Sequence, residues 1–529
     1  MLKKIKSIFG AQDMTVGRPI RSILLFIVPL LLGNVLQLTY NTVDSIVVGQ
    51  FSGPNGLSAI GVSMPIQFMF AVFFMTVGTG VSVMVSQYFG AKDKENLSKT
   101  VGNSLLLILI ATVLATILGL SLSDWILRIT SCPPEVFENA KAYLMIMFLG
   151  FVGMGFYNIL GGILRGFGDA TFPLLVLFGT TILNIFLDIW MVATPDQLSF
   201  GLGWGVAGAA WATIIAQTLS AVICLARLLR MKHIAEVNRS TMKLDKQIVK
   251  TIVRIGIPSG LQQMIMSMSF VFVQSIINSI LIPFGTGAAG EVLFNGAIFV
   301  AVNTAVMRID GFAMMPAQTF NQAASTFTGQ NIGAGKLDRV SKGVKICLTM
   351  ALSITLIVFV VIWFFGRDLM MMFINETEAS ILDEAQLNGF ASSIDFIRTM
   401  GFETIETYIT ARIDKIVEVG YQMQRIMVFG YFLMAIANTI GGVMRGAGDT
   451  LAQLWIMIAT NIVVRIPLTV IMVNLSKSAE YPNGAPSSIF LSMIIAFGLN
   501  VLTTCIYFST GRWKTKAVVR RAPPTPAEG

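Results

Sequence analysis

Histidine, cysteine and charge are all scarce in this sequence of 529 residues. The single histidine, His233, lies in a basic loop, so histidine metal sites and catalytic triads are excluded. The four cysteines are scattered without a CxxC pair, and neither a disulfide framework nor a cysteine metal site is expected. Only 12% of the residues are charged and 54% are hydrophobic, which excludes a chain built from water-soluble domains.

Long apolar runs dominate the sequence instead. A helix of about 20 apolar residues crosses a bilayer, and the runs of that length predict membrane helices that we call spans 1 to 12. The first run follows a polar N-terminal stretch and is too long for a cleaved signal segment, so it is expected to remain as a span. The predicted spans are residues 21–48, 58–87, 100–124, 140–164, 172–192, 206–229, 249–282, 292–328, 341–365, 422–444, 452–474 and 486–510.

Basic residues are distributed unevenly between the loops. Most of the 37 Lys and Arg residues fall in loops on the side of the N-terminus, and short loops rich in Lys and Arg lie in the cytoplasm. Both termini are therefore expected on the cytoplasmic side of the plasma (inner) membrane. The net charge of +9 reflects this topology, and nucleic acid is not expected as a partner.

An internal repeat divides the chain into two halves. The hexapeptide LRGFGD at Leu164 to Asp169 returns as MRGAGD at Met444 to Asp449, 280 residues later. Upstream, VSQYFGAKDKENLSK from Val85 matches FTGQNIGAGKLDRVSK from Phe327 at a separation of 243, so the second half holds an insert of 37 residues, about 376–412. The expected fold is an all-α membrane protein with two six-helix lobes related by pseudo-two-fold symmetry.

The repeat also sets the domain boundaries. We expect an N-lobe at 1–230 with spans 1–6, a cytoplasmic linker at 231–250, a C-lobe at 251–510 with spans 7–12, and a disordered tail at 511–529. The insert is predicted to be an external amphipathic helix, broken near Gly401, that rests on the membrane or on the outer opening. Its apolar residues at helical spacing are Phe390, Ile394, Ile397, Ile405, Tyr408 and Ile409.

The hexapeptide itself is interpreted as a compact turn between two helices. Its arginine favours the negative end of the first helix, a glycine can take the left-handed conformation, and its aspartate, Asp169 or Asp449, can cap the next helix. Direct contact with a substrate is the alternative.

Carboxylates inside the hydrocarbon core are costly, so they are candidates for function. Asp44 closes a polar stripe in span 1 that includes Gln37 and either Tyr40 or Asn41, and Asp188 follows Asn184 by four residues on one face of span 5. Both carboxylates are expected at the same depth in the outer half of the membrane, where Thr213 of span 6 can join them. Together these oxygens can bind a hard cation such as sodium, or a desolvated carboxyl group can carry a proton. Alternatively, they only satisfy one another as structural contacts.

The motifs together resemble those of the multidrug and toxic compound extrusion (MATE) family. The resemblance rests on both hexapeptides, on QYFGAKD and GQNIGAGK, and on NTVDSIVVG in span 1, and it covers nearly the whole chain apart from the insert and the tail. In the DinF-like branch of that family, a cation or proton site is built from a span-1 Asp, a span-5 Asn and Asp, and a span-6 Thr. The resemblance thus implies a site at Asp44, Asn184, Asp188 and Thr213.

The C-lobe does not repeat this site, because Gln274 falls opposite Asp44 and Leu468 opposite Asp188. The sodium-coupled branch of the family uses acidic residues in spans 7 and 10, and this sequence has none there. Asp310 of span 8 lies two residues from Arg308, and the two can pair with each other or with other neighbours; Arg465 of span 11 is equally open. The candidates for lining a substrate cavity are Gln37, Tyr40, Asn41, Asn158, Arg308 and Asp310.

The expected function is a secondary antiporter that exports amphipathic, often cationic compounds in exchange for protons or sodium. It is expected to act as a monomer in the lipid bilayer, with no cofactor and no metal beyond possible Na⁺ at the four N-lobe residues. A flippase for lipid-linked oligosaccharide is the alternative, but it should carry several basic residues in its cavity. A membrane enzyme is disfavoured because no nucleophile, base and metal ligands cluster at one depth.

Overall fold

The computed structural model describes residues 10–130, 132–286, 292–374 and 376–519. Helices long and apolar enough to cross a membrane confirm the twelve spans predicted from the sequence, counting one bent pair as a single span. Spans 1 to 6 are Pro19–Gly53, Ser58–Ala91, Lys94–Ile129, Pro134–Leu149 with Phe151–Gly166, Thr171–Val192 and Gly205–Arg230. Spans 7 to 12 are Lys246–Ile277, Gly296–Gly333, Leu337–Phe373, Ile405–Gly446, Thr450–Leu475 and Pro486–Ser509.

The spans pack into two bundles that follow the sequence repeat. One buried apolar cluster runs through spans 1 to 6 and reaches the first turns of span 7, and a second holds together spans 7 to 12. A third cluster joins span 1 to spans 8, 9 and 10 near the chain ends, where Phe26 and Phe320 are fully buried. The two lobes thus meet along an apolar seam at one end of the molecule.

Two spans depart from a straight α-helix. Span 4 bends by 49° at Gly150, where a Cβ atom would overlap the side chain of Ile214, so only glycine lets spans 4 and 6 approach this closely. Span 11 contains a π-helical segment, Ala459–Val464, which places one extra residue in the helix. Neither feature follows from apolar spacing.

The helical fold is confirmed, with one short antiparallel hairpin added to it. Strands β1, Ile282–Thr286, and β2, Val292–Asn295, lie between spans 7 and 8 and pair Ile282 with Asn295. The sequence prediction included Ile282 in span 7 and the residues of β2 in span 8, because they are as apolar as the helices beside them, and it left the rest of β1 between the two spans.

The insert folds as two short helices, Glu378–Leu387 and Ser393–Thr399, followed by an outward extension of span 10 that begins at Ile405. The predicted break near Gly401 is confirmed, since Gly401 has a φ of 82°. The predicted contact with the membrane is wrong for Ile397 and Tyr408, which are fully buried, and Phe402 stacks on Phe284 of β1 with ring centroids 5.3 Å apart. The alternative, a place on the outer opening, stays a prediction. The apolar face of the insert covers the hairpin instead of the membrane.

The tail prediction is also wrong for residues 511–519. A 3₁₀ turn, Arg512–Thr515, follows span 12, and the Trp513 ring stacks on Phe508 with centroids 5.0 Å apart. This aromatic contact and the indole hydrogen bond to the Phe508 carbonyl hold the segment in place. Residues 520–529 of the predicted tail lie outside the described residues.

Candidate functional site

Thr213 of span 6 connects Tyr40 and Asp44 of span 1 by hydrogen bonds. The Tyr40 hydroxyl donates to Thr213 Oγ1 at 3.3 Å, and the Thr213 hydroxyl donates to Asp44 Oδ2 at 3.4 Å. Tyr40 and Asp44 lie one turn apart on the same helix, so one threonine on the neighbouring helix reaches both. The chain of hydroxyl groups directs a donor to one oxygen of the Asp44 carboxyl group.

Span 5 supplies the second half of the cluster. Asn184 and Asp188 are buried, with 1% and 0% of their surfaces exposed, and their spacing of four residues puts them on one helix face. The carboxyl group of Asp44 interacts with Asp188, Thr213 and Asn184. Four residues that are far apart in sequence, on three spans, therefore lie together inside the N-lobe.

Most oxygens of this cluster have no donor. Within the described part of the chain, Asp44 Oδ1, both oxygens of Asp188 and both polar atoms of Asn184 have no hydrogen-bond partner. A buried polar group without a partner costs about 1–3 kcal/mol, so a bound ligand or proton would stabilise these atoms. The cluster offers oxygen atoms that a proton or a hard cation can occupy.

Two further residues border the cluster and were missed from the sequence. Tyr143 of span 4 is buried and interacts electrostatically with both Asp44 and Asp188, and it lies beside Gln67 of span 2. An amide isolated in an apolar run, as in MPIQFMF around Gln67, is the signal that could have revealed Gln67. Among the described residues, no group of three or more His, Cys, Asp or Glu has the geometry of a metal site.

The remaining cavity candidates do not form one group. Gln37 and Arg308 are exposed, and Asn158 donates to the Met154 carbonyl of its own helix. The side chain of Asn41 lies outside the described residues. Gln37, Asn158 and Arg308 therefore do not extend the Asp44 cluster.

Asp310 finds partners on span 10 and not on its own helix. It accepts hydrogen bonds from the Tyr431 hydroxyl and from Gln424 Nε2, the latter at 3.3 Å. The possible pair with Arg308 is not formed, because residues two apart point to different sides of a helix. Asp310 thus links span 8 to span 10 by hydrogen bonds.

The repeated hexapeptides form matching turns, as predicted. Gly168 and Gly448 have φ angles of 81° and 90°, and in each turn the amide of the aspartate bonds to the carbonyl five residues earlier. Asp169 caps the next helix through Phe172 N at 3.0 Å. Asp449 differs from the prediction, because its carboxylate accepts the Tyr507 hydroxyl at 2.6 Å and makes no cap.

Each turn is held by a glutamine from the other lobe. Gln87 of span 2 donates to the Gly446 carbonyl at 2.8 Å, and Gln330 of span 8 donates to the Gly166 carbonyl at 3.0 Å. The two glutamines occupy matching places in the repeat, as do the two glycines. We call this pair of crossed hydrogen bonds the glutamine clasp.

The clasp also fixes the two ends of the described chain. Gln330 Oε1 accepts the amide of Met14 at 2.9 Å, and Gln87 Oε1 accepts the amide of Val518 at 2.8 Å. Arg339 donates to the carbonyls of Met14, Val16 and Gly17. We call this end of the molecule, where both chain ends lie, the terminal face.

Hydrogen bonds between the lobes are confined to one half of the molecule. In the part of the chain that the structure describes, they lie at the terminal face, with Asn34 Nδ2 to Thr319 Oγ1 at 2.9 Å the deepest. The Asp44 cluster lies beyond that point. A closed terminal face, two repeated lobes and a polar site within one lobe define a membrane transporter of the secondary type.

The family follows from comparison with known proteins. The MatE family model matches residues 29–190, 258–388 and 395–471, which cover most of the chain and fall in both lobes. The chain therefore belongs to the MatE family, the multidrug and toxic compound extrusion transporters that its motifs resemble. Members of this family are transporters and not enzymes.

Several relatives match over nearly their whole length. The probable multidrug resistance protein YoeA of Bacillus subtilis is 24% identical over 94% of this chain and 95% of its own. The probable multidrug resistance protein YpnP of the same organism is 25% identical over 95% of this chain and 98% of its own. A solved structure described as the outward-facing conformation of a multidrug resistance MATE transporter superposes with a TM-score of 0.76 at 23% identity, covering 96% of this chain and 98% of that one.

Proposed function

We propose that this chain exports amphipathic, often cationic compounds from the cell by exchange with protons or sodium. The observation that carries the proposal is the Asp44 cluster, in which Asp44 Oδ1, both Asp188 oxygens and the Asn184 amide lack partners among the described residues, in a lobe that is closed toward the terminal face. The names of the relatives, multidrug resistance proteins, support small drugs as substrates.

We assign the terminal face to the cytoplasm and the chain to the plasma membrane. The loops on the side of the N-terminus hold most of the Lys and Arg residues, and such loops are retained in the cytoplasm. The Asp44 cluster then lies in the outer half of the membrane. A transporter with a closed inner face and an outer-half site is ready to take a cation from outside and to release its substrate there.

The cycle uses the cluster as an exchange point. In the outward-facing form, a proton or a sodium ion binds at Asp44 and Asp188, with Asn184 and Thr213 as further oxygen ligands. Binding removes negative charge that attracts a cationic substrate, so the substrate leaves to the outside. The glutamine clasp then opens, the cation is released inside, and the empty carboxylates draw in the next substrate. Because cation and drug exclude each other, exchange is obligatory.

The four residues match the N-lobe site of the DinF-like branch, and we assign the chain to that branch on this match. The flippase alternative requires a cavity lined by several basic residues. Arg308 is exposed and Arg465 is fully buried, so these two arginines do not line one basic cavity for a lipid phosphate.

Transport by purified protein in liposomes tests the proposal. A cationic dye should accumulate against its gradient when a pH gradient or, separately, a sodium gradient is imposed, and the effective gradient identifies the coupling ion. Asp44→Asn should abolish this accumulation while the protein still elutes as a folded species. Undiminished uphill transport by that variant would overturn the assignment of the site.

A further inference from the structure

A guanidinium group is buried without a counterion in the C-lobe. Arg465 of span 11 is 0% exposed, and its Nε and both Nη atoms have no acceptor among the described residues. None of the ion pairs in the described part of the chain includes it. An isolated charge at this depth costs free energy. A buried charge that lacks its ion-pair partner destabilises a site of this kind.

Among the described residues, the surroundings of Arg465 contain polar and aromatic groups, and no ion pair joins Arg465 to a carboxylate. The guanidinium carbon lies 4.9 Å from the centre of the Phe270 ring of span 7, which covers the group without accepting its hydrogen bonds. One turn further along span 11, the Thr469 and Ser492 hydroxyls bond to each other at 2.8 Å. The three nitrogens therefore keep their full capacity to donate to an anionic ligand.

The repeat shows which N-lobe position Arg465 replaces. In the N-lobe, the Ser220 hydroxyl donates to Thr180 Oγ1 at 2.8 Å; in the C-lobe, Asn500 Nδ2 donates to Thr460 Oγ1 at 2.9 Å. Thr180 and Thr460 are 280 residues apart, as are Ser220 and Asn500, and this is also the separation of the two hexapeptides. The contacts and the sequence therefore give the same alignment of the two lobes as far as Thr460.

The π-helical segment then shifts the match by one residue. Ala459–Val464 holds one residue more than an α-helix of the same length, so positions beyond it match at a separation of 281. Arg465 then takes the place of Asn184, and Thr469 takes the place of Asp188 instead of Leu468. The C-lobe thus has an arginine and a hydroxyl at the two positions where the N-lobe has an amide and a carboxylate.

We propose that this C-lobe position is an anion site, the charge-reversed counterpart of the Asp44 cluster. Arg465 donates from its three nitrogens to a negatively charged group that enters between spans 7, 11 and 12. The ligand is either a small inorganic anion such as chloride or the carboxylate of a zwitterionic substrate whose amine is drawn to the N-lobe. Either ligand supplies the charge and the acceptors that the protein itself does not provide.

Thermal unfolding of the purified full-length chain tests binding without any need for transport. Chloride replaces methanesulfonate at constant sodium and ionic strength, so the cation site is unaffected and no carboxylate competes for Arg465. The melting temperature of the wild type should rise saturably with chloride, and that of Arg465→Gln should not change. Arg425→Gln, which removes an exposed arginine of span 10, should behave as the wild type does. An equal rise in Arg465→Gln would overturn the proposal for chloride.

A second experiment distinguishes chloride from a substrate carboxylate as the ligand, and it rests on the proposed function. In liposomes, Arg465→Gln should raise the KM for a fluoroquinolone, which carries a carboxylate and an amine, by about tenfold or more. The KM for a purely cationic dye should stay unchanged, which also shows that the variant is folded and that the transport cycle is intact. Arg465→Lys should recover part of the loss. If neither chloride stabilisation nor the carboxylate-specific KM change depends on Arg465, no anion site exists there.

Discussion

Gln87 and Gln330 hold matching places in the two lobes, and each donates to the turn of the opposite lobe, at 2.8 Å and 3.0 Å. The helices that carry them approach closely, because a side chain at Gly90 would overlap the backbone of Gln330 and one at Gly333 would overlap the backbone of Gln87. The repeated motifs around these residues therefore have a structural purpose: they close the terminal face by crossing from one lobe to the other.

Loss of the clasp should favour an open terminal face. Gln87→Ala or Gln330→Ala removes one hydrogen bond to the turn of the opposite lobe, of about 1 kcal/mol, so each should raise the open population about fivefold. Each also removes the bond that the glutamine accepts from a chain end. Spin labels at Arg230 and Ser341, one exposed site in each lobe, report the separation of the lobes in a cysteine-free background. The double variant should show a larger long-distance fraction than either single one.

A matched control for the clasp is available at the opposite face. Gln197 Nε2 donates to the Phe51 carbonyl at 3.3 Å within one lobe, so Gln197→Ala loses a similar bond without releasing the lobes. The distance distribution of this control should match that of the wild type. An unchanged distribution in the clasp variants would show that the crossed bonds do not hold the face closed.

The contact between Asp310 and Tyr431 predicts a cooperative effect on stability. Tyr431→Phe leaves one buried carboxyl oxygen with fewer donors and should lower the free energy of unfolding by about 1–3 kcal/mol. Asp310→Asn should have a smaller additional effect in the Tyr431→Phe background than in the wild type. Denaturation in detergent of the wild type, the two single variants and the double variant gives the coupling energy between the two side chains. Additive effects of the two substitutions would contradict the contact.

The insert is held by a buried ion cluster at the far end of the C-lobe. Arg412 pairs with Glu376, Nε to Oε1 at 3.2 Å, and with Glu384, and the side chains of these three residues are at most 10% exposed. Asn295 of β2 donates to Glu384 at 2.7 Å, which ties the cluster to the hairpin.

Removal of the arginine should release the insert. Arg412→Met leaves two buried carboxylates unpaired and should destabilise the insert by about 3–5 kcal/mol, so limited proteolysis should cut within 376–404 faster than in the wild type. Glu376→Gln and Glu384→Gln, added to Arg412→Met, should restore most of the resistance. Lys415→Ala, which breaks a more exposed pair with Glu418, should have little effect, and equal cleavage of it and Arg412→Met would contradict the cluster.

The sequence alone predicted the spans, the repeat and the members of the Asp44 cluster. These features depend on local signals: apolar length fixes a span, and a spacing of four residues puts Asn184 and Asp188 on one face. The position of Thr213 near Asp44 followed from the depth of each span.

Features set by contacts between distant residues were not predicted. Strands β1 and β2 are apolar segments whose pairing depends on the insert that covers them, and the bend at Gly150 depends on Ile214 of another span. The π-helical segment adds one residue without any sequence signal, so Leu468 was matched to Asp188 in place of Thr469. Tyr143 and Gln67 join the site only because spans 2 and 4 pack beside it.

The account predicts that drug and cation compete for the Asp44 cluster, and this competition is directly measurable. Purified wild-type protein, loaded with protons in weak buffer or with ²²Na⁺, should release about one cation for each cationic drug bound. Asp188→Asn and Asp44→Asn should bind the drug more weakly, because each removes a negative charge, and should show less of this release for each drug bound. Full cation release from the double variant Asp44→Asn/Asp188→Asn, equal to that of the wild type, would contradict the account.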